Sequence, residues 1–156
     1  MAVGTVSGID PADNWQLITS QAMNGLNTYT FSSLSGYKTY WLVGKAMITG
    51  TAEVIQVRIN GDSSGASYAN MFSADGNGGG FMLTPNITTS RAFSFQIDNA
   101  DKAVPHQVRA NTYASGYPTS PGDAYIDAVA ITSLTVRTNG GSNFSSGTVF
   151  LYGIAA

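Results

Sequence analysis

Among the side chains able to do chemistry, the tightest spacing is Gly61-Asp62-Ser63-Ser64-Gly65. It matches G-x-S-x-G, with Asp98, Asp101 and His106 downstream in the order serine, aspartate, histidine. In an α/β-hydrolase that turn holds its serine on a strained strand-to-helix elbow, so a helix has to follow. Here the next residues, ASYANMF, are too short and carry no helical stripe. Glycine and serine are also abundant enough for chance matches, so a polar hairpin loop is the expectation and a serine hydrolase using Ser63 the remote alternative.

His106 is the single histidine and there is no cysteine, so a zinc or facial-triad site would need carboxylates for every other ligand. A structural strand histidine is the simpler expectation. Asp75-Gly76-Asn77 and Asp98-Asn99-Ala100-Asp101 offer oxygen ligands, yet neither has the third and bidentate carboxylates of a calcium loop. Turn-forming side chains account for both. Glu53 is the sole glutamate and the aspartates are scattered, so no pair stands out as a glycosidase acid and nucleophile, and solvated turn roles are expected. Gly78-Gly79-Gly80 lacks the Lys-Ser or Lys-Thr pair and the helix of a phosphate loop; a mobile tip is expected. No catalytic residue, metal or cofactor is therefore assigned.

What remains is binding. Tyr113, Tyr117 and Tyr125 cluster around a long loop, and Tyr68 follows the polar turn. Flat aromatic faces beside Asn, Ser and Asp suit glycan recognition, while core or subunit contacts compete for the same residues.

Strands would have to position these groups. Residues 37–62, YKTYWLVGKAMITGTAEVIQVRINGD, read as two strands joined by a hairpin at Thr49, Gly50 and Thr51 in the centre of a sheet. Ile55, Val57 and Ile59 alternate with Gln56, Arg58 and Asn60, as a strand with one buried face requires. The first limb is apolar on both parities, Tyr40, Leu42 and Ile48 against Trp41, Val43 and Met47, so a second sheet or a neighbouring subunit should cover both its faces. Further strands are expected over residues 15–19, 27–32, 81–83, 91–98 and 106–113, with residues 114–123 a long exposed loop. Residues 127–137 change phase midway, predicting a bulge near Thr132 and Ser133, and residues 148–154 close the chain. Tyr68 and Phe72 are expected to cap the sandwich edge. The count, about eight to ten strands without long helical stripes, predicts an all-β antiparallel β-sandwich of jelly-roll type. Residues 1–14 form an extended arm able to anchor to a neighbour, and residues 15–156 a single domain.

A chain of 156 residues can bury a self-sufficient core. With charged residues at 10% and a net charge of −2, no footprint for nucleic acid exists. The N-terminus has neither a basic flank nor an apolar run, so no signal peptide or membrane insertion is expected. A surface poor in Lys and Glu suits a protein covered by copies of itself.

Several segments resemble, in order, those of a family of phage virion proteins found as tail-fibre tips, minor tail proteins and head appendages. They are WQLIT, NTYTFSSL running into GYKTYWLVG, VRINGDSSGASY, FSFQIDNADKAV, AVAITSLTV and the closing NFSSGTVFLYGI, covering about residues 15 to 154. Pro105-His106 departs from the family's pattern. The resemblance implies a jelly-roll structural subunit of a bacteriophage virion, a head decoration or tail appendage. Such a subunit would be made in the host cytoplasm and carried in the virion, and would not be an enzyme. A short arm in place of a fibre stalk suggests a stand-alone subunit in a cyclic homo-oligomer, contacting other copies and phage head or tail proteins. The alternative is a lectin-like receptor-binding module that recognises host-surface glycan through Tyr113, Tyr117, Tyr125 and Tyr68.

Overall fold

The computed structural model describes residues 14–69, 79–84, 89–112 and 120–156. The expected arm lies outside them apart from Asn14, as do Phe72, Asp75-Gly76-Asn77, Gly78, Tyr113 and Tyr117. The described strands are β1 (Gln16–Ala22), β2 (Thr28–Phe31), β3 (Tyr37–Thr49), β4 (Ile55–Ile59), β5 (Tyr68–Ala69) and β6 (Phe81–Met82). They continue with β7 (Arg91–Asp98), β8 (His106–Thr112), β9 (Ser120–Tyr125), β10 (Leu134–Thr138) and β11 (Phe144–Ala155). Period-two alternation explains the best-formed of them: in β7, Phe93, Phe95 and Ile97 are buried while Ser94, Gln96 and Asp98 are half-exposed.

These strands form an antiparallel sandwich. One sheet has the order β1-β11-β3-β7-β8-β9-β5 and the other β2-β10-β4-β6. The chain changes sheet at every step from β1 to β7, and again from β9 to β10 and from β10 to β11. The blocks β1-β11-β3-β7 and β2-β10-β4-β6 thus reproduce the interleaved plan of a jelly roll. Strands β8, β9 and β5 widen the first sheet beyond it. Tyr40, Leu42, Phe95, Ile97, Val108 and Leu151 on one side meet Ile55, Val57, Ile59, Leu134 and Val136 on the other, all at most 3% exposed.

Three expectations are corrected by this arrangement. The hairpin at Gly50 does not form, because β3 pairs with β11 and β7 while β4 pairs with β10 and β6 in the opposite sheet. Two alternating strands bury facing stripes equally well side by side or across a core, so parity alone does not separate the two cases. The 114–123 loop also shortens, since residues 120–125 form β9 against β8, with a register shift beside Pro121, which has no N–H for the ladder. Finally, residues 127–133 are irregular and β10 starts only at Leu134. The phase change is fixed by Asn60 rather than by a bulge: its Oδ1 accepts from Thr132 N (2.7 Å), Ser133 N (3.1 Å) and Thr132 Oγ1 (3.1 Å), and its Nδ2 donates to the Ala130 carbonyl (2.9 Å). Asn60 sits at φ 51°, a left-handed conformation that asparagine tolerates.

Candidate functional site

The expected binding tyrosines divide in two. Tyr113 and Tyr117 lie outside the described residues. Tyr68 and Tyr125 are core residues, 3% and 1% exposed, with ring centroids 5.2 Å apart. Burial removes both ring faces from any ligand, which corrects their assignment as glycan contacts. Phe81 packs edge-on to Tyr68 at 5.0 Å and His106 stacks on Tyr125 at 6.1 Å. The hydroxyls then need partners inside the fold. Tyr68 Oη donates to the Asp62 carbonyl (2.9 Å) and accepts from Ile59 N (3.1 Å). Tyr125 Oη donates to Asp62 Oδ2 at 3.3 Å, and Ser67 Oγ donates to Asp127 Oδ2 at 2.8 Å. Burial pushes the Asp62 carboxyl up, but the nearby Ser67 hydroxyl and hydrogen bonds from the Ser64 N–H and the Tyr125 hydroxyl outweigh it, and the net shift is downward.

Burial has a measurable consequence for the phenols. It is the largest cause that raises Tyr40 and Tyr68 to about 12, with Tyr37 adding to Tyr40 and Asp62 to Tyr68, and it raises Tyr125 as well. The folded protein therefore keeps protons that an unfolded chain releases near pH 10, so this contribution to stability is complete below about pH 10 and lost as pH rises through about 12. Phenolate absorbance is expected to show three of the eight tyrosines ionising late, together with loss of the β-sheet signal. A single wave near the ordinary value with the fold intact would contradict the burial.

The serine motif is dispersed by the fold. Ser63 is exposed on a turn where Asp62 Oδ1 accepts from Ser64 N, and only a three-residue 3₁₀ turn, Gly65–Ser67, follows. His106 is 1% exposed, with Nε2 2.6 Å from the Val129 carbonyl and Nδ1 3.3 Å from the Asp98 carbonyl, so its ring engages main chain and neither serine nor carboxylate. Asp98 turns outward to Gln96 Nε2 (3.0 Å) and Arg109 Nη1 (3.3 Å), while Asp101 pairs with Lys102 (2.6 Å). Among the described residues no group of three His, Asp or Glu side chains is placed to hold a metal.

Two polar expectations change. Glu53 is buried rather than solvated: its carboxylate accepts from Gly140 N at 2.6 Å and Ser142 N at 3.2 Å. The glycine tip is held rather than mobile at Gly79 and Gly80, where the Gly79 carbonyl accepts from Arg58 Nε at 2.8 Å and Gly80 is buried.

The surface that sequence reasoning passed over is the outer face of the seven-stranded sheet. Here the second parity of β3 meets that of β11: Trp41 lies 5.6 Å from Tyr152 and 5.3 Å from Trp15, and Phe150 lies 6.5 Å from Tyr152 with Lys45 over its ring. Among the described residues the four-stranded sheet packs only on the other face of β3, so of the two covers expected here, a second sheet or a neighbouring subunit, the sheet is absent. The signal was visible as apolar residues on both parities of residues 37–49 and 148–154. Beside the strip, β1 is an edge strand, exposed along most of its length, and among the described residues nothing pairs with its other side. An open cleft of about 390 Å³ lies along it, lined by Ile18, Thr19, Gln21, Phe31, Leu34 and Tyr37 among others.

No family model matches the chain, and no curated protein matches it. A solved structure, titled "Crystal structure of human SPRY domain", covers 89% of this chain and 96% of its own at 10% identity and a TM-score of 0.41. It is a distant match. A similarity that low carries no argument about function.

Proposed function

We propose that the chain is a non-enzymatic structural subunit of a bacteriophage virion, a head decoration or tail appendage, and that it assembles through the free edge of its seven-stranded sheet. Support for the virion setting comes from the resemblance, whose segments fall on the jelly-roll strands: QLIT on β1, TYTF on β2, YKTYWLVG on β3, FSFQID on β7 and the closing FLYGI on β11. The observation that carries the assembly reading is β1. Its sequence, QLITSQA, contains no charge and no proline, the devices by which sheet edges are usually protected from pairing. Two copies meeting antiparallel along β1 would continue one sheet across a two-fold axis, the simplest cyclic oligomer.

Light scattering across a concentration series is expected to give an oligomer for the wild type. Leu17→Lys with Thr19→Lys, which puts two charges on the edge, is expected to give a monomer with an unchanged circular-dichroism spectrum. A wild type that stays monomeric at every concentration would defeat the assembly reading. Absence of the chain from purified particles of its phage, by mass spectrometry, would defeat the virion setting.

A further inference from the structure

We propose that the outer face of the seven-stranded sheet binds an extended, uncharged oligosaccharide, with Trp41, Tyr152 and Trp15 packing against sugar C–H faces and Gln96, Asp98 and Arg109 bonding their hydroxyls. The argument starts from register. Tyr152 pairs with Trp41, Trp41 with Gln96, and Gln96 with Arg109, so four side chains stand in one line across β11, β3, β7 and β8. At an interstrand spacing of about 4.8 Å that line is roughly 14 Å long, enough for a ligand of several rings.

The chemistry changes halfway along the line. Its first half is aromatic and half-buried, with Trp15 adding a further ring, 38% exposed. Its second half is a polar network in which Gln96 donates to Asp98 and Asp98 pairs with Arg109, whose side chain is 50% exposed. This network supplies acceptors from Asp98, donors from Arg109, and both from Gln96.

The occupant has to satisfy both halves. A lipid surface or an apolar protein face would match the rings but strip water from the Asp98–Arg109 pair without replacing its hydrogen bonds, which is costly. A polyanion would meet the Asp98 carboxylate and a chain of net charge −2. A neutral sugar has apolar C–H faces and hydroxyls that both donate and accept, so it fits ring and network alike. The inference is separate from the assembly reading, because pairing along β1 leaves this face open.

Trp15 and Trp41 are the only two tryptophans of the chain, so its intrinsic emission reports on this face directly. The full chain would be titrated with neutral hexasaccharides of glucose, mannose, galactose and N-acetylglucosamine, and with the four monosaccharides, following emission and heat of binding. At least one hexasaccharide is expected to give a saturable change, with its monosaccharide binding more weakly. Trp41→Ala is expected to weaken binding by roughly tenfold, and Gln96→Ala and Arg109→Ala each by about three- to tenfold, with the circular-dichroism spectrum retained. Three outcomes would overturn the proposal: silence across the whole panel, undiminished binding by both polar variants, or an emission change that follows protein concentration rather than sugar, which would assign the face to a second copy.

Discussion

Asn60→Ala is expected to lower the stability of the fold by about 3 kcal/mol, a drop of roughly 6 to 12 °C in thermal midpoint for a chain of this size. Three donors converge on the Asn60 Oδ1, two of them main-chain N–H groups of residues 132 and 133 that have no strand to pair with. Removing the acceptor leaves them unpaired, and alanine at φ 51° adds the strain of the left-handed region. Asn60→Asp keeps the acceptor and tolerates the backbone, losing only the bond to the Ala130 carbonyl, so about 1 kcal/mol is expected. Thermal unfolding of the two variants beside the wild type checks the ranking. Equal losses would mean that the acceptor is not what holds the chain between β9 and β10.

Glu53→Ala is expected to cost about as much, again about 3 kcal/mol, for a related reason at the other end of the sandwich. Glu53 lies in the crossover from β3 to β4, and its carboxylate accepts from two N–H groups of the crossover from β10 to β11. The same corner is joined by Asn139 N to the Val54 carbonyl and by Gly50 N to the Asn143 carbonyl, both at 3.0 Å. A Cβ at Gly140 would stand 2.5 Å from the Glu53 carboxylate, so close approach requires glycine there. Glu53→Gln retains one acceptor but turns an amide N–H₂ toward the other donor, so an intermediate loss of about 1 to 2 kcal/mol is expected. Denaturant unfolding would show a lower midpoint with the slope unchanged. No loss for Glu53→Ala would mean that water replaces the carboxylate at this corner.

These two residues mark the limit of what the sequence discloses. Strand β7 was legible to both its ends because Phe93, Phe95 and Ile97 alternate with polar residues and a turn follows. The closing strand was legible for similarly local reasons, its apolar residues running from residue 148. Long-range choices were not. Whether residues 37–49 and 55–59 lie beside or opposite each other depends on which strands reach them from residues 81–98 and 134–155, and alternation is the same in either case. Asn60 and Glu53 act on partners 72 and 87 positions away, so their roles leave no local pattern, and each resembles an ordinary turn residue. The candidate site was legible in part. Apolar residues on both parities of β3 and β11 marked this face, though as one that a second sheet or a neighbouring subunit should cover, whereas the neighbouring Gln96 and Arg109 gained meaning only through the register that sets them beside Trp41.

The place of β11 between β1 and β3 also governs how the molecule comes into being. Emerging from a ribosome, the first and third strands have no common neighbour to hold them until residues 144–155 arrive, so the widest layer closes only after all its other strands have been made. Until then a nascent chain displays β1 unpaired and β3 with one side open even after β7 has joined it, and crowding of unfinished copies is the hazard its birth has to survive.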